Sequence, residues 1–159
     1  MNEVQRFELP EHLQTALQRR DWICGLQETL MQISEFPAGD RPDCPLVHNF
    51  AGGMYVREIF IPANMMIVGK IHKHTHPNFL MEGDVSIITE DGGLMRMSGP
   101  QSIMSPAGCK RALFTHTPTW WITVHLNPNG HTEFTQDFED EIIAKDFVEL
   151  EASQRKAVA

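Results

Sequence analysis

The sequence predicts a mainly β fold in one domain, a small barrel or two-sheet body carrying an N-terminal helical arm and a C-terminal helix. Between about Met54 and Leu126, short runs rich in β-branched and aromatic residues follow one another: MYVREIFI, MMIVGKIH, DVSIITE, LMRM, RALFTH and WWITVHL. Turn signals at PAN, EGD, EDGG, SGP, SPAG and HTPT separate them at the spacing of an all-β sandwich or barrel. On either side the period changes to a helical one, with Leu26, Leu30 and Ile33 before the body and Phe138 and Ile142 after it. A chain of 159 residues is long enough to bury such a core without disulfides or a structural metal.

The arm runs from Pro10, a residue suited to a helix start, to Ser34, with Trp22 and Ile23 one turn before Leu26. The stretch EFPAGDRPDCP, with three prolines and a glycine, cannot continue a helix and reads as a linker. Residues 1–50 are therefore expected to form the arm and linker, 51–127 the β-barrel, and 128–159 a loop and an acidic helix. Acidic residues open that last helix, where its dipole favours them.

Thirteen basic against 21 acidic residues leave a net charge of −8, which disfavours nucleic acid and anionic membranes as partners. Cys24, Cys44 and Cys109 are odd in number and form no CxxC, so neither a disulfide framework nor a zinc knuckle is indicated. The N-terminus lacks an apolar signal segment and no window reaches the roughly 20 apolar residues of a membrane span, which predicts a cytoplasmic protein.

The segment 69-GKIHKHTHPNFLMEGD-84 raises the question of chemistry. Read as one strand from Met65 through about His74, it puts Met66, Val68, Lys70, His72 and His74 on one face and Ile67, Gly69 and Ile71 on the other. Both faces are mostly apolar, and imidazoles there need hydrogen-bond partners or an ion. The competing reading is a solvated loop edge. Pro77 interrupts any continuation of the alternation to His76.

These residues carry a resemblance. GKIHKHTHPNFLMEGDVSIITEDG resembles the first motif of the cupin superfamily, and SPAGCKRALFTH resembles the start of its second, over roughly Ala51 to Asn127. More narrowly, IPANMMIVGKIHKHTHPNFL, SPAGCKR and TWWITVH resemble single-domain cupins common in tailed-phage and bacterial genomes. The resemblance implies a cupin-type jelly roll in which Asn64 occupies a turn position usually held by glycine. Cupin metal sites usually take two histidines and a glutamate from the first motif and a histidine from the second. Here the glutamate slot falls near His76, and the second-motif slot holds Arg111, which cannot ligate a metal. A histidine-only set replaces that recipe: His72, His76 and His125, with His74 or water in the remaining position. It would hold one divalent transition metal, with zinc, iron, nickel and copper all compatible. The alternative for His125 is a hydrogen-bonded core histidine.

Lys70, Lys110 and Arg111 form a local cation cluster in an acidic chain, suited to a carboxylate or phosphate, or else a solvated rim. Tyr55, on an early strand, and Trp121, on the face of His125, complete the candidate ligand-binding set. The expected function is metal-dependent binding or turnover of a small anionic molecule, a sugar acid or carboxylate, by an oxygenase or isomerase if the protein is an enzyme. A non-catalytic ligand-binding or structural module, phage-associated, is the alternative. Nucleophilic catalysis is not indicated, since Cys109 and the serines lack a catalytic context. The apolar stripe of the arm and the open β edges predict a homodimer.

Overall fold

The computed structural model describes residues 3–33 and 41–158; the end of the arm at Ser34 and residues 35–40 of the linker lie outside them. Strand β1 (Gln5–Phe7) and a 3-10 turn (Glu11–Leu13) precede helix α1 (Ala16–Ile33). The β body comprises β2 (Leu46–Ala51), β3 (Met54–Ile61), β4 (Met66–Val68), β5 (Ile71–His72), β6 (His76–Glu82), β7 (Asp84–Thr89), β8 (Gly93–Ser98), β9 (Gln101–Ser105), β10 (Arg111–Thr115) and β11 (Thr119–Leu126). Helix α2 (Gln136–Ile142), strand β12 (Ile143–Ala144) and helix α3 (Phe147–Val158) close the chain. Among the described residues, no helix is long and apolar enough to cross a membrane.

Two five-stranded sheets form, in the orders β1-β8-β7-β10-β4 and β2-β3-β11-β6-β9. Alternation decides what they bury: along β11, Thr119, Trp121, Thr123 and His125 point inward and the intervening residues do not. Leu80, Val85, Ile87, Met97, Leu113 and Trp121 fill the space between the sheets. Helix α1 lies on the far side of the first sheet, setting Ile23 against Ile88 and Ala112.

Two turns follow from residue type. Asn64 holds φ +60° and donates its N–H to the Thr115 carbonyl at 2.6 Å, the role expected of a glycine substitute. Gly83 holds φ +111°, and a Cβ there would stand 2.5 Å from Thr119 Oγ1.

The structure corrects three sequence expectations. The single strand from Met65 to His74 is broken after Val68: the Gly69 N–H bonds to the Arg111 carbonyl at 2.9 Å, ending the pairing of β4 with β10. Strand β5 then joins β12 in a separate two-stranded sheet. The C-terminal helix is likewise split, because the chain extends at Ile143 to pair with His72. Strands β1 and β2 were not legible as strands; QRF is only three residues long, and LVHNFA carries a histidine and an asparagine side by side at its centre.

Candidate functional site

Three elements bring the histidines together. His72 ends β5, His76 opens β6, and His125 lies near the end of β11, which pairs with β6 through Thr123 and Asn78. Continuing that register puts His76 and His125 on the same inward face. The Gly108 N–H of the PAG turn bonds to the His72 carbonyl at 2.8 Å and holds β5 in place. The ring centroids lie 4.2 Å apart for His72 and His76, 4.8 Å for His72 and His125, and 4.6 Å for His76 and His125. One nitrogen from each ring can be chosen so that all three lie within 4.8 Å of one another.

The hydrogen bonding of these rings fits a metal ion. His76 Nδ1 lies 2.9 Å from the His74 carbonyl, an acceptor, so that nitrogen carries the proton and Nε2 presents a lone pair. His76 Nε2 and His72 Nδ1 are both buried and have no hydrogen-bond partner among the described residues. Buried polar atoms of this kind are rare, and an ion accepting their lone pairs removes the cost of leaving them unpaired. Burial, followed by the neighbouring imidazoles, holds His72 well below the usual histidine range. Burial lowers His76 as well, against the opposing pull of its bond to the His74 carbonyl. His125 is pushed down to about 3, chiefly by burial and then by His76 and Arg57. All three are thus neutral near pH 7, the protonation state a metal requires.

These depressed values set the pH dependence of the metal-free protein. An imidazole with a folded value below its unfolded value of about 6.5 takes up its proton more readily on unfolding, so stability is complete above that pH and falls as the solution is acidified. For His125 alone the loss is about 2 kcal/mol at roughly pH 5, and it continues to grow down to about pH 3. Urea unfolding at neutral pH and at about pH 5 should show at least this loss, and His125→Gln should remove the His125 share while leaving that of His72 and His76.

A cavity of about 200 Å³ adjoins the histidines, with His72 and His125 in its wall. Arg57, Arg111 and Trp121 also line it, as do Ile59, Ile67 and Leu113. Arg111 points inward from the start of β10. Its Nη2 donates to Asn78 Oδ1 at 3.0 Å, and its guanidinium lies 5.3 Å from the Trp121 ring centre. No carboxylate among the described residues pairs with it. Tyr55, fully buried, faces His125 across the β3–β11 pair and bonds through its hydroxyl to His48 Nδ1 at 2.6 Å.

The remaining candidates are placed differently. His74 is exposed on the loop between β5 and β6 and contributes its carbonyl to the site. Lys70 lines the cavity mouth, half-exposed and ion-paired with Glu139. Lys110 is buried, with its Nζ 3.4 Å from the Gly69 carbonyl, and is not part of the cavity wall. Asn78, which sequence reasoning missed, is the centre of the polar layer. Its Oδ1 accepts from Arg111, Trp121 Nε1 at 3.1 Å and Thr123 Oγ1 at 3.3 Å, while its Nδ2 donates to Ser105 Oγ at 2.9 Å. The signal available was an asparagine two residues after His76 in a run otherwise suited to a strand.

Comparison with known proteins carries the fold. No family model matches the sequence, and no curated protein matches it. Among solved structures, salicylate 1,2-dioxygenase from Pseudoaminobacter salicylatoxidans superposes with a TM-score of 0.50 at 12% identity, over 69% of this chain and 32% of that one. Ectoine synthase from P. lautus gives 0.49 at 14% identity over 62% and 83%, and KdgF from Halomonas sp. gives 0.48 at 10% over 57% and 85%. The dioxygenase is a cupin-fold protein, and the present chain has that fold: a single cupin-type jelly roll with an N-terminal helical arm and C-terminal helices.

Proposed function

We propose that this chain is a metal-binding cupin-fold protein that holds a small carboxylate in its cavity, beside one divalent transition metal on His72, His76 and His125. The observation that carries this reading is the pair of orphaned nitrogens, His72 Nδ1 and His76 Nε2, in a cluster of three neutral imidazoles that borders the same cavity as a guanidinium without a carboxylate partner. Zinc, iron, nickel and copper all suit imidazole donors, and three protein ligands leave a coordination position open. A metal there supplies Lewis-acid chemistry toward a bound oxygen. Arg111 supplies fixed donors suited to a carboxylate, with Lys70 at the mouth. The aliphatic walls favour a carboxylate with a compact apolar body over a sugar acid, whose hydroxyls would meet Ile59, Ile67 and Leu113 without partners. On the narrower sequence resemblance we further propose a protein of the kind of the single-domain cupins of phage and bacterial genomes, acting in a cytoplasm, the host's if phage-encoded.

A thermal-shift screen of metal-loaded protein against small aliphatic and aromatic carboxylates, sugar acids and phosphates tests this reading. Apolar carboxylates are expected to stabilise it most. Arg111→Lys should weaken the hit by about one to two decades, the worth of a charge-assisted pair, with metal content unchanged. A hit whose stabilisation survives Arg111→Ala intact would remove the anchor role.

A further inference from the structure

The cavity side of the sheet β2-β3-β11-β6-β9 is built in rows set by the cross-strand register. Tyr55 faces His125 in one row; in the next Arg57 faces Thr123, which faces Asn78; in the third Ile59 faces Trp121. Arg111 reaches the middle row from β10 of the opposite sheet, through its bond to Asn78 Oδ1 at 3.0 Å. That row therefore lies between the histidines and an apolar row, and its two guanidinium groups, Arg57 and Arg111, line one cavity. Arg41 and Lys70 line it as well, and among the described lining residues Glu139 is the one carboxylate. Both of these partly exposed cations have a carboxylate of their own: Arg41 is bidentate to Asp43, at 2.9 and 2.8 Å, and Lys70 pairs with Glu139. Arg57 has interactions of its own within the fold, but a guanidinium carries five N–H donors. Its charge acts on the cavity: after burial, it helps lower both Arg111 and His125.

We infer that Arg57 and Arg111 form a two-point clamp for a short aliphatic dicarboxylate, one carboxylate to each guanidinium. The inference rests on the reading of Arg111 as a carboxylate anchor and narrows it to a ligand with two charges. Two cations that repel each other across a low-dielectric cavity are costly unless anions lie against them. A monocarboxylate compensates one guanidinium and leaves the other; a second carboxylate completes the compensation. In a chain whose net charge is −8, this concentration of cations is local to the cavity, as a site for an anionic ligand requires. Inorganic phosphate also fits a guanidinium fork, so the ligand's body decides between them. Ile59, Ile67 and Leu113 border the same space and favour methylene groups, which phosphate lacks. Size limits the chain. At about 200 Å³ the cavity falls below the roughly 300–1,000 Å³ of sites for drug-sized ligands. Arg57 on β3 and Asn78 on β6 are separated by β11, about 10 Å at ~4.8 Å per strand. Long side chains reaching into that span from Arg57 and Arg111 leave room for a short linker between the carboxylates.

Calorimetric titration of the full chain with matched acids tests the clamp: succinate against butanoate, glutarate against pentanoate, and inorganic phosphate as a further probe. Within a matched pair the dicarboxylate is expected to bind at least roughly tenfold more tightly, the low end for an added charge-assisted pair. Arg57→Gln should bring the members of each pair level. Arg57→Lys keeps the charge without the fork, so it should shrink the difference without abolishing it, and it decides the matter if the glutamine variant does not fold. Arg111→Gln should weaken both members. Equal binding of both members by wild type, each still weakened in Arg111→Gln, would overturn the clamp and leave the single anchor standing. A dicarboxylate preference unchanged in both Arg57 variants would overturn it too, as would phosphate bound more tightly than either dicarboxylate. Failure of every carboxylate to bind wild type would remove the clamp and the anchor together.

Discussion

Protein purified in chelator-free buffer is expected to contain one transition-metal ion per chain, and His125→Ala and His72→Ala to contain essentially none. Among the described residues, each of these histidines is one of three nitrogen donors gathered at the cluster. Removing an outer-shell partner from a metal ligand commonly costs 10–100-fold in affinity, and removing a ligand itself should cost more. His72→Ala and His125→Ala also delete a buried group that disfavours protonation, so the metal-free variants should lose less stability on acidification than metal-free wild type, on top of whatever the vacated ring costs at neutral pH. Loss of metal in a folded, acid-tolerant variant therefore separates ligand removal from unfolding. Added metal should raise the melting temperature of wild type, by the equivalent of about 2.7 kcal/mol at a hundred times the dissociation constant, and leave both variants unmoved. His74→Ala distinguishes two arrangements. Retained metal leaves the remaining position to water, while lost metal brings the exposed His74 side chain into the centre. Equal metal content in wild type, His72→Ala and His125→Ala would remove the centre altogether.

The parts of this site legible in the sequence were those fixed by local periodicity or turn chemistry. The alternation of WWITVHL places Trp121, Thr123 and His125 on one face whatever the sheet order, and the structure keeps them there. Asn64 was legible because few residues accept a positive φ. The spacing HKHTH misled, because a single strand was assumed to continue through Gly69. Two long-range hydrogen bonds, Gly69 to Arg111 and Lys73 to Ile142, break that run and swing His72 toward His76 while leaving His74 in solvent. Neither partner is near in sequence, so no window of the chain encodes the break. The partners of Lys70 and Lys110 were hidden for the same reason. Glu139 arrives from α2, 69 residues later, and the Gly69 carbonyl that faces Lys110 lies 41 residues before it.

Replacing Asn78 by leucine is expected to cost about 3–5 kcal/mol, because it strands several buried donors at once. The side chain is fully buried, and its amide orientation is dictated by its neighbours: Trp121 Nε1, Thr123 Oγ1 and Arg111 Nη2 can all donate, so the oxygen faces them. Leucine has the same branching and a larger volume, so no cavity forms; the cost comes from overpacking and from an indole N–H and a guanidinium left without their acceptor in a low-dielectric layer. Asn78→Asp gives a different outcome from nearly the same shape. A carboxylate keeps all three acceptor contacts and adds an ion pair to Arg111, at the expense of the bond that the Asn78 amide gives to Ser105. Its unfolding free energy near neutral pH should therefore stay within about 2 kcal/mol of wild type. The same ion pair neutralises the cation proposed to hold the ligand, so Asn78→Asp should bind carboxylates at least roughly tenfold more weakly while keeping its metal. Urea unfolding of the two variants together with a carboxylate titration measures both effects. If Asn78→Leu unfolds within about 1 kcal/mol of wild type, the donors have found other acceptors, and Asn78 does not organise the wall on which Arg111 rests.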